Sequence, residues 1–139
     1  RVYLSPCTGM ISDFGYASKF TDETFIPAGL LMTRVISHGG PGLFTLDLGY
    51  KGIAADPPGL KGCLMGDWHA SPINQNEEHW IWKMDEGYED QRPGIGSVLY
   101  VIPTHICPTS ALYPEALVAL DGQIVDIWEV TARNRKLSI

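Results

Sequence analysis

Asp121-Gly122 lies between two apolar runs, residues 115–120 and 123–132. Asp and Gly both tolerate the positive φ that a two-residue hairpin turn demands, so the pair predicts a β-hairpin. The rest of the chain is built in the same way. No stretch of useful length repeats every 3.6 residues, and short apolar or alternating runs are separated by turn residues. Strands are predicted at residues 1–4, 30–37, 43–49, 79–84 and 97–102. His38-Gly39-Gly40-Pro41-Gly42 forms the turn between the second and third. Residues 5–24 are read as a long loop that packs through Phe14, Tyr16 and Phe20. Residues 51–76 are broken by Pro57, Pro58, Gly59, Gly62, Gly66 and Pro72 and are read as loop. Residues 85–96 form a polar connection. The expected fold is all-β, a single domain over residues 1–139. It is a small antiparallel barrel or sandwich with long loops and at most short helices.

Charge and composition narrow the function. A net charge of −6 with no Lys/Arg cluster argues against nucleic acid. No apolar run approaches the roughly 18 residues that span a bilayer, so no membrane partner is expected. Three cysteines, Cys7, Cys63 and Cys107, form no C-x-x-C. With no signal peptide in view, they point to a reducing, cytoplasmic setting. The chain starts at Arg1, which suggests a piece of something longer.

The chemistry concentrates in Val101-Ile102-Pro103-Thr104-His105-Ile106-Cys107-Pro108-Thr109. Pro103 and Pro108 disfavour helix. In an extended segment His105 and Cys107 project to one face, with Ile106 turned to a core. An imidazole beside a thiolate suits a zinc-type ion. The same residues also describe a buried cysteine beside a hydrogen-bonded histidine. Glu77-Glu78-His79 enters a strand without forming H-E-x-x-H, so His79 either lines a site or lies on the surface. His38 and Asp67-Trp68-His69 are further possible ligands. The glycine-rich turn at 38–42 lacks the G-x-S-x-G partner of a hydrolase oxyanion loop. Lys51 reads as a solvated lysine. One tight ligand pair without a second favours an open, chemically active metal site over a closed structural one.

Several pieces taken in order form one pattern. They are the strand at 31–37, Asp47-x-Gly49-x-Lys51, Glu77-Glu78-His79, and Ile102-Pro103-Thr104-His105-Ile106-Cys107-Pro108-Thr109. The Asp121-Gly122 hairpin with Val125-Asp126-Ile127-Trp128 and Ala132-Arg133 completes it. Over residues 27–133 the chain resembles the C-terminal β-domain of the D-serine dehydratase and D-threonine aldolase-like family. These are fold-type III pyridoxal phosphate enzymes related to alanine racemase.

The resemblance implies an N-terminal (β/α)8 barrel, absent here, that carries pyridoxal phosphate on its lysine. It implies a homodimer, a small D-amino acid substrate, and zinc or another divalent metal held by His105 and Cys107. His79 becomes the candidate catalytic residue at the site wall. Aldolase members tend to have Asp at the position of Cys107, so the thiolate favours a D-serine dehydratase-like lyase that eliminates water with help from zinc. The alternatives are retro-aldol cleavage of a D-threonine-type substrate, or a β-domain used only for interaction or dimerisation. The isolated chain is expected to be inactive.

Overall fold

Alternation decides which face of the first strand is buried. In β1 (Leu31–Gly40), Leu31, Thr33 and Val35 point inward, while Met32, Arg34 and Ile36 face out. The computed structural model describes residues 1–3, 7–22, 24–134 and 136–137. Pro41 and Gly42 turn the chain, Gly42 at φ +66°, into β2 (Leu43–Leu46). Then follow β3 (Gly62–Leu64), β4 (Ala70–Gln75), β5 (Trp80–Met84) and β6 (Val98–Pro103). These six make one sheet in the order β3-β6-β1-β2-β5-β4, with every pair antiparallel. The sheet curls into a half-barrel. Leu60 and Lys61, which lead into β3 at one edge, line a cleft together with Ile73 and Gln75 of β4 at the other.

The concave side holds the core. Val35, Phe44, Leu46, Ile53 and Val101 are fully buried, and Trp80, Trp82 and Met84 come inward on alternate positions of β5. Trp82 sits 5.0 Å from Trp80 and 6.4 Å from Phe44, ring to ring. Each such side chain contributes about 1.5–3 kcal/mol on burial. Thr33 is polar and buried, but its hydroxyl donates to Asp47 at 2.7 Å, and the same carboxylate accepts from the Arg34 amide. That pairing explains how a threonine is tolerated inside.

The Asp121-Gly122 hairpin forms as expected. β7 (Glu115–Leu120) and β8 (Gln123–Glu129) pair around Asp121 at φ +49° and Gly122 at φ +76°. It makes its own two-stranded sheet. Leu117, Leu120, Ile124, Ile127 and Trp128 remain exposed.

Four expectations need correction. Residues 1–3 carry no strand, and Leu4 falls outside the described residues. Residues 5–24 are not simply loop, since α1 (Phe14–Lys19) forms behind an Asp13 cap that accepts from the Tyr16 amide at 2.9 Å. Residues 51–76 contain β3 and β4. Pro72 is accommodated because β4 is an edge strand. Lastly, His105-Ile106-Cys107 is not extended. It opens α2 (Ile106–Ser110), with His105 as the cap residue at φ −136° and ψ 98°. Pro108 does not prevent this helix because it falls in the first turn, where its missing N–H would have had no helical partner.

Tyr113 ties the stretch after α2 to the turn that follows β2 by donating to the Gly52 carbonyl at 2.7 Å. Burial, and then the charge of Asp47, push its phenol pKa up. A raised folded pKa contributes stability that is fully present below the unfolded value, about 10, and is lost as pH rises through the folded value. The denaturation midpoint should therefore fall through the alkaline range above about pH 10. Tyr113→Phe should cost about 1 kcal/mol at neutral pH and make that alkaline fall shallower. Equal alkaline slopes for the two proteins, measured by urea titration, would rule this out.

Candidate functional site

β6 delivers His105 to the end of the sheet. After Pro103, Thr104 fixes the exit. Its amide donates to the Lys61 carbonyl and its hydroxyl to the Leu60 carbonyl, each at 2.8 Å. The α2 turn is then held from two sides. On one side, the Thr109 hydroxyl donates to the His105 carbonyl at 2.7 Å and accepts from the Ala54 amide at 3.2 Å. That draws residues 54–56 against α2 and sets Asp56 beside His105, Oδ2 to Nδ1 at 2.5 Å. On the other side, Asp13 is almost wholly buried and accepts from the Ile106 amide at 3.0 Å. The same carboxylate therefore caps α1 and satisfies the first free amide of α2. Gly15 lies so close that a Cβ there would stand 2.3 Å from the Thr104 carbonyl oxygen.

His105 and Cys107 have different neighbours. Two residues along a helix rotate a side chain by about 200°, so an argument from a shared strand face no longer applies. The His105 ring is partly exposed and turned to Asp56. The Cys107 sulfur lies 3.1 Å from the Cys7 sulfur and 3.6 Å from the Thr8 hydroxyl. The hydrogen bond to Cys107, and then repulsion between the two sulfurs when charged, push the Cys7 thiol pKa up. Ile106 is buried, as expected, close against Gly29.

His79 stands at the same end of the sheet, where β5 enters while β2 and β6 leave. It is exposed, and its amide donates to the Asn76 side chain at 2.8 Å. It is three strands from β6, about 14 Å measured along the sheet. Lys51 is exposed and lies 2.5 Å from Glu78 and 3.4 Å from Glu77. The hydrogen bond from Lys51 holds the Glu78 carboxyl below its usual range, and Glu78 in turn raises Lys51. His38 donates to the Pro93 carbonyl, and His69 stacks on Tyr88 at 3.8 Å. Both are engaged away from His105.

The donor set can be tested against a metal. Asp56 occupies Nδ1 of His105, which leaves Nε2 free. Metal-binding histidines commonly have this carboxylate arrangement. The Cys107 sulfur is half-buried, two residues further on and inside α2. Among the described residues no three His, Cys, Asp or Glu side chains converge on one point. These residues therefore do not fit a closed structural site, while the His105 ring with Asp56 behind it has the arrangement that one ligand of an open site needs. Sequence reasoning missed Asp56, Cys7 and Asp13. The one local signal was Asp13, a capping residue type just before Phe14.

Residues 28–119 match the family described as "Putative serine dehydratase domain". A D-threonine aldolase from Arthrobacter sp is 32% identical over 90% of this chain, and the match covers 32% of that enzyme. The chain thus spans about a third of that relative's length. Among solved structures, D-threonine aldolase from Filomicrobium marinum superposes with a TM-score of 0.70 at 21% identity, over 80% of this chain and 29% of the other. D-threo-3-hydroxyaspartate dehydratase from Delftia sp. HT23 does so with a TM-score of 0.61 at 23% identity, over 74% and 32%. At these identities the two structures establish the fold. No helix among the described residues is long and apolar enough to cross a membrane.

Proposed function

Because the chain belongs to the serine dehydratase-like domain family, we propose that it is the metal-binding β-domain of a pyridoxal phosphate-dependent lyase acting on D-3-hydroxy amino acids. The observation that carries this is the His105–Asp56 contact at 2.5 Å, which occupies one imidazole nitrogen with a carboxylate and leaves the other for a ligand. Two of the solved D-threo-3-hydroxyaspartate dehydratase variants support it. They replace a His and a Cys two positions apart, the spacing of His105 and Cys107, and the Cys variant is described as metal-free.

In this reading His105 Nε2 and the Cys107 sulfur hold zinc or another divalent ion. When bound, the ion supplies a Lewis acid for the substrate 3-hydroxyl, and pyridoxal phosphate on an N-terminal barrel supplies the electron sink at Cα. Asp56 accepts from Nδ1–H and fixes the ring's tautomer and angle. Asp13 and Thr109 hold the turn that carries both ligands. His79 is the catalytic histidine at the site wall, where it is exposed at the mouth of β5. The lyase is a cytoplasmic homodimer, and elimination of water is its reaction. The stronger overall similarity to D-threonine aldolases favours a second reading, retro-aldol cleavage to glycine and an aldehyde.

Calorimetric titration of this chain with zinc should show one site. Affinity should fall in acid, because Cys107 binds as thiolate. His105→Ala and Cys107→Ala should each abolish binding, and Asp56→Asn should weaken it about 10- to 100-fold. In a full-length lyase carrying this domain, His105→Ala should stop turnover while the cofactor absorbance persists. Pyruvate with ammonia, or glycine with an aldehyde, would separate the two reactions. Zinc binding that ignores both ligand substitutions would overturn the site.

A further inference from the structure

Cys7 and Cys107 are 100 residues apart in the chain, yet their sulfurs sit 3.1 Å from each other. Neither the metal reading nor the fold requires this. The approach is built rather than incidental. The segment bearing Cys7 is anchored on α2 by the Asp13 carboxylate and on Thr104 by the Gly15 amide, at 3.0 and 3.2 Å. Cys7 is exposed, so a small oxidant can reach it, whereas Cys107 is half-buried behind it. Cys63 lies elsewhere, with its sulfur against the Leu64 carbonyl, and has no thiol partner.

We propose that Cys7 and Cys107 form a reversible dithiol–disulfide site for hydroperoxides. A disulfide bond is about 2.05 Å long, so the sulfurs have about 1 Å left to close. In the first step the Cys7 sulfur attacks hydrogen peroxide. An S–O bond forms, the O–O bond breaks, and one water leaves with the thiol's proton. In the second step the Cys107 sulfur attacks the Cys7 sulfenic acid. The S–S bond forms, the S–O bond breaks, and the hydroxyl leaves as water with the second thiol's proton. Two thiols are oxidised by two electrons, and one peroxide is reduced to two waters. A small thiol such as dithiothreitol reverses the bond by exchange. One consequence rests on the function proposed above. Since Cys107 is a metal ligand in that reading, forming the disulfide releases the ion.

The fully reduced chain should be treated with hydrogen peroxide and then alkylated. The expected product loses about 2 Da, retains one alkylatable thiol, gives a peptide joining Cys7 to Cys107, and reverts with dithiothreitol. Cys7→Ser should remove the mass loss, and Cys63→Ser should leave it unchanged. Retention of all three thiols, a bridge through Cys63, or only bridges between separate chains would overturn the proposal. Zinc-loaded protein separates the two readings. A chain that binds no zinc but forms the bridge keeps the dithiol site and loses the metal site. A chain that binds zinc at His105 and Cys107 but never forms the bridge does the reverse.

Discussion

Asp13→Ala is expected to lower the unfolding free energy by about 2.5–4 kcal/mol. One carboxylate, almost fully buried, accepts from the Tyr16 and Ile106 amides. Losing an N-cap costs about 1 kcal/mol, and a buried amide left without its charged acceptor costs about 1.5–3 more. The second amide begins α2, so the damage reaches the turn that carries His105 and Cys107. Asp13→Asn keeps one acceptor oxygen and should cost roughly half as much. Asp22, exposed beyond α1, is the control, and Asp22→Ala should stay within about 0.5 kcal/mol. Urea midpoints for the three variants decide it. If Asp13→Ala matched Asp22→Ala, the double cap would carry no energetic weight.

Gly49→Ala should be similarly severe, near 3 kcal/mol, or about 10 °C in melting temperature. A Cβ at residue 49 would lie 2.2 Å from the Glu77 carbonyl carbon and oxygen and 2.3 Å from the Glu78 amide nitrogen. These are backbone atoms, so no side chain can swing aside. The main chain there is already tied, Tyr50 to Asn76 and Lys51 to Glu77, at 2.9 and 3.1 Å. Displacing it would disturb the turn that presents His79. Gly94 gives the comparison, since its added Cβ meets nothing nearer than the Ser97 hydroxyl at 3.7 Å. A calorimetric scan showing Gly49→Ala and Gly94→Ala melting together would refute the close approach.

What the sequence revealed depended on whether the signal was local. The period-2 run Trp80, Trp82, Met84 and the Asp121-Gly122 turn each state their structure within a few residues, and both appear as expected. β3 was hidden because it is three residues long and starts at Gly62, whose missing Cβ leaves room for Val101. β4 was hidden by Pro72, which reads as a breaker unless the strand is known to lie at an edge. In the site, His105 and Cys107 are legible as a pair, but their surroundings are not. Asp56 lies 49 residues from His105, and Asp13 lies 93 residues from Ile106. No spacing rule reaches that far. The extended reading of His105-Ile106-Cys107 failed because a proline breaks a helix in its interior but not in its first turn.

The exposed hairpin has a thermodynamic consequence. A two-stranded ribbon with no third strand and no covering helix is at best marginally stable in water. β7 and β8 exchange hydrogen bonds with each other and leave both faces to solvent. Their amides can open to solvent without unfolding the six-stranded sheet, so two cooperative units coexist in one short chain. Hydrogen exchange in β7 and β8 then reports a local opening free energy, while exchange in β1, β2 and β6 reports the global one. Whatever comes to cover Trp128 and Ile127 would merge the two.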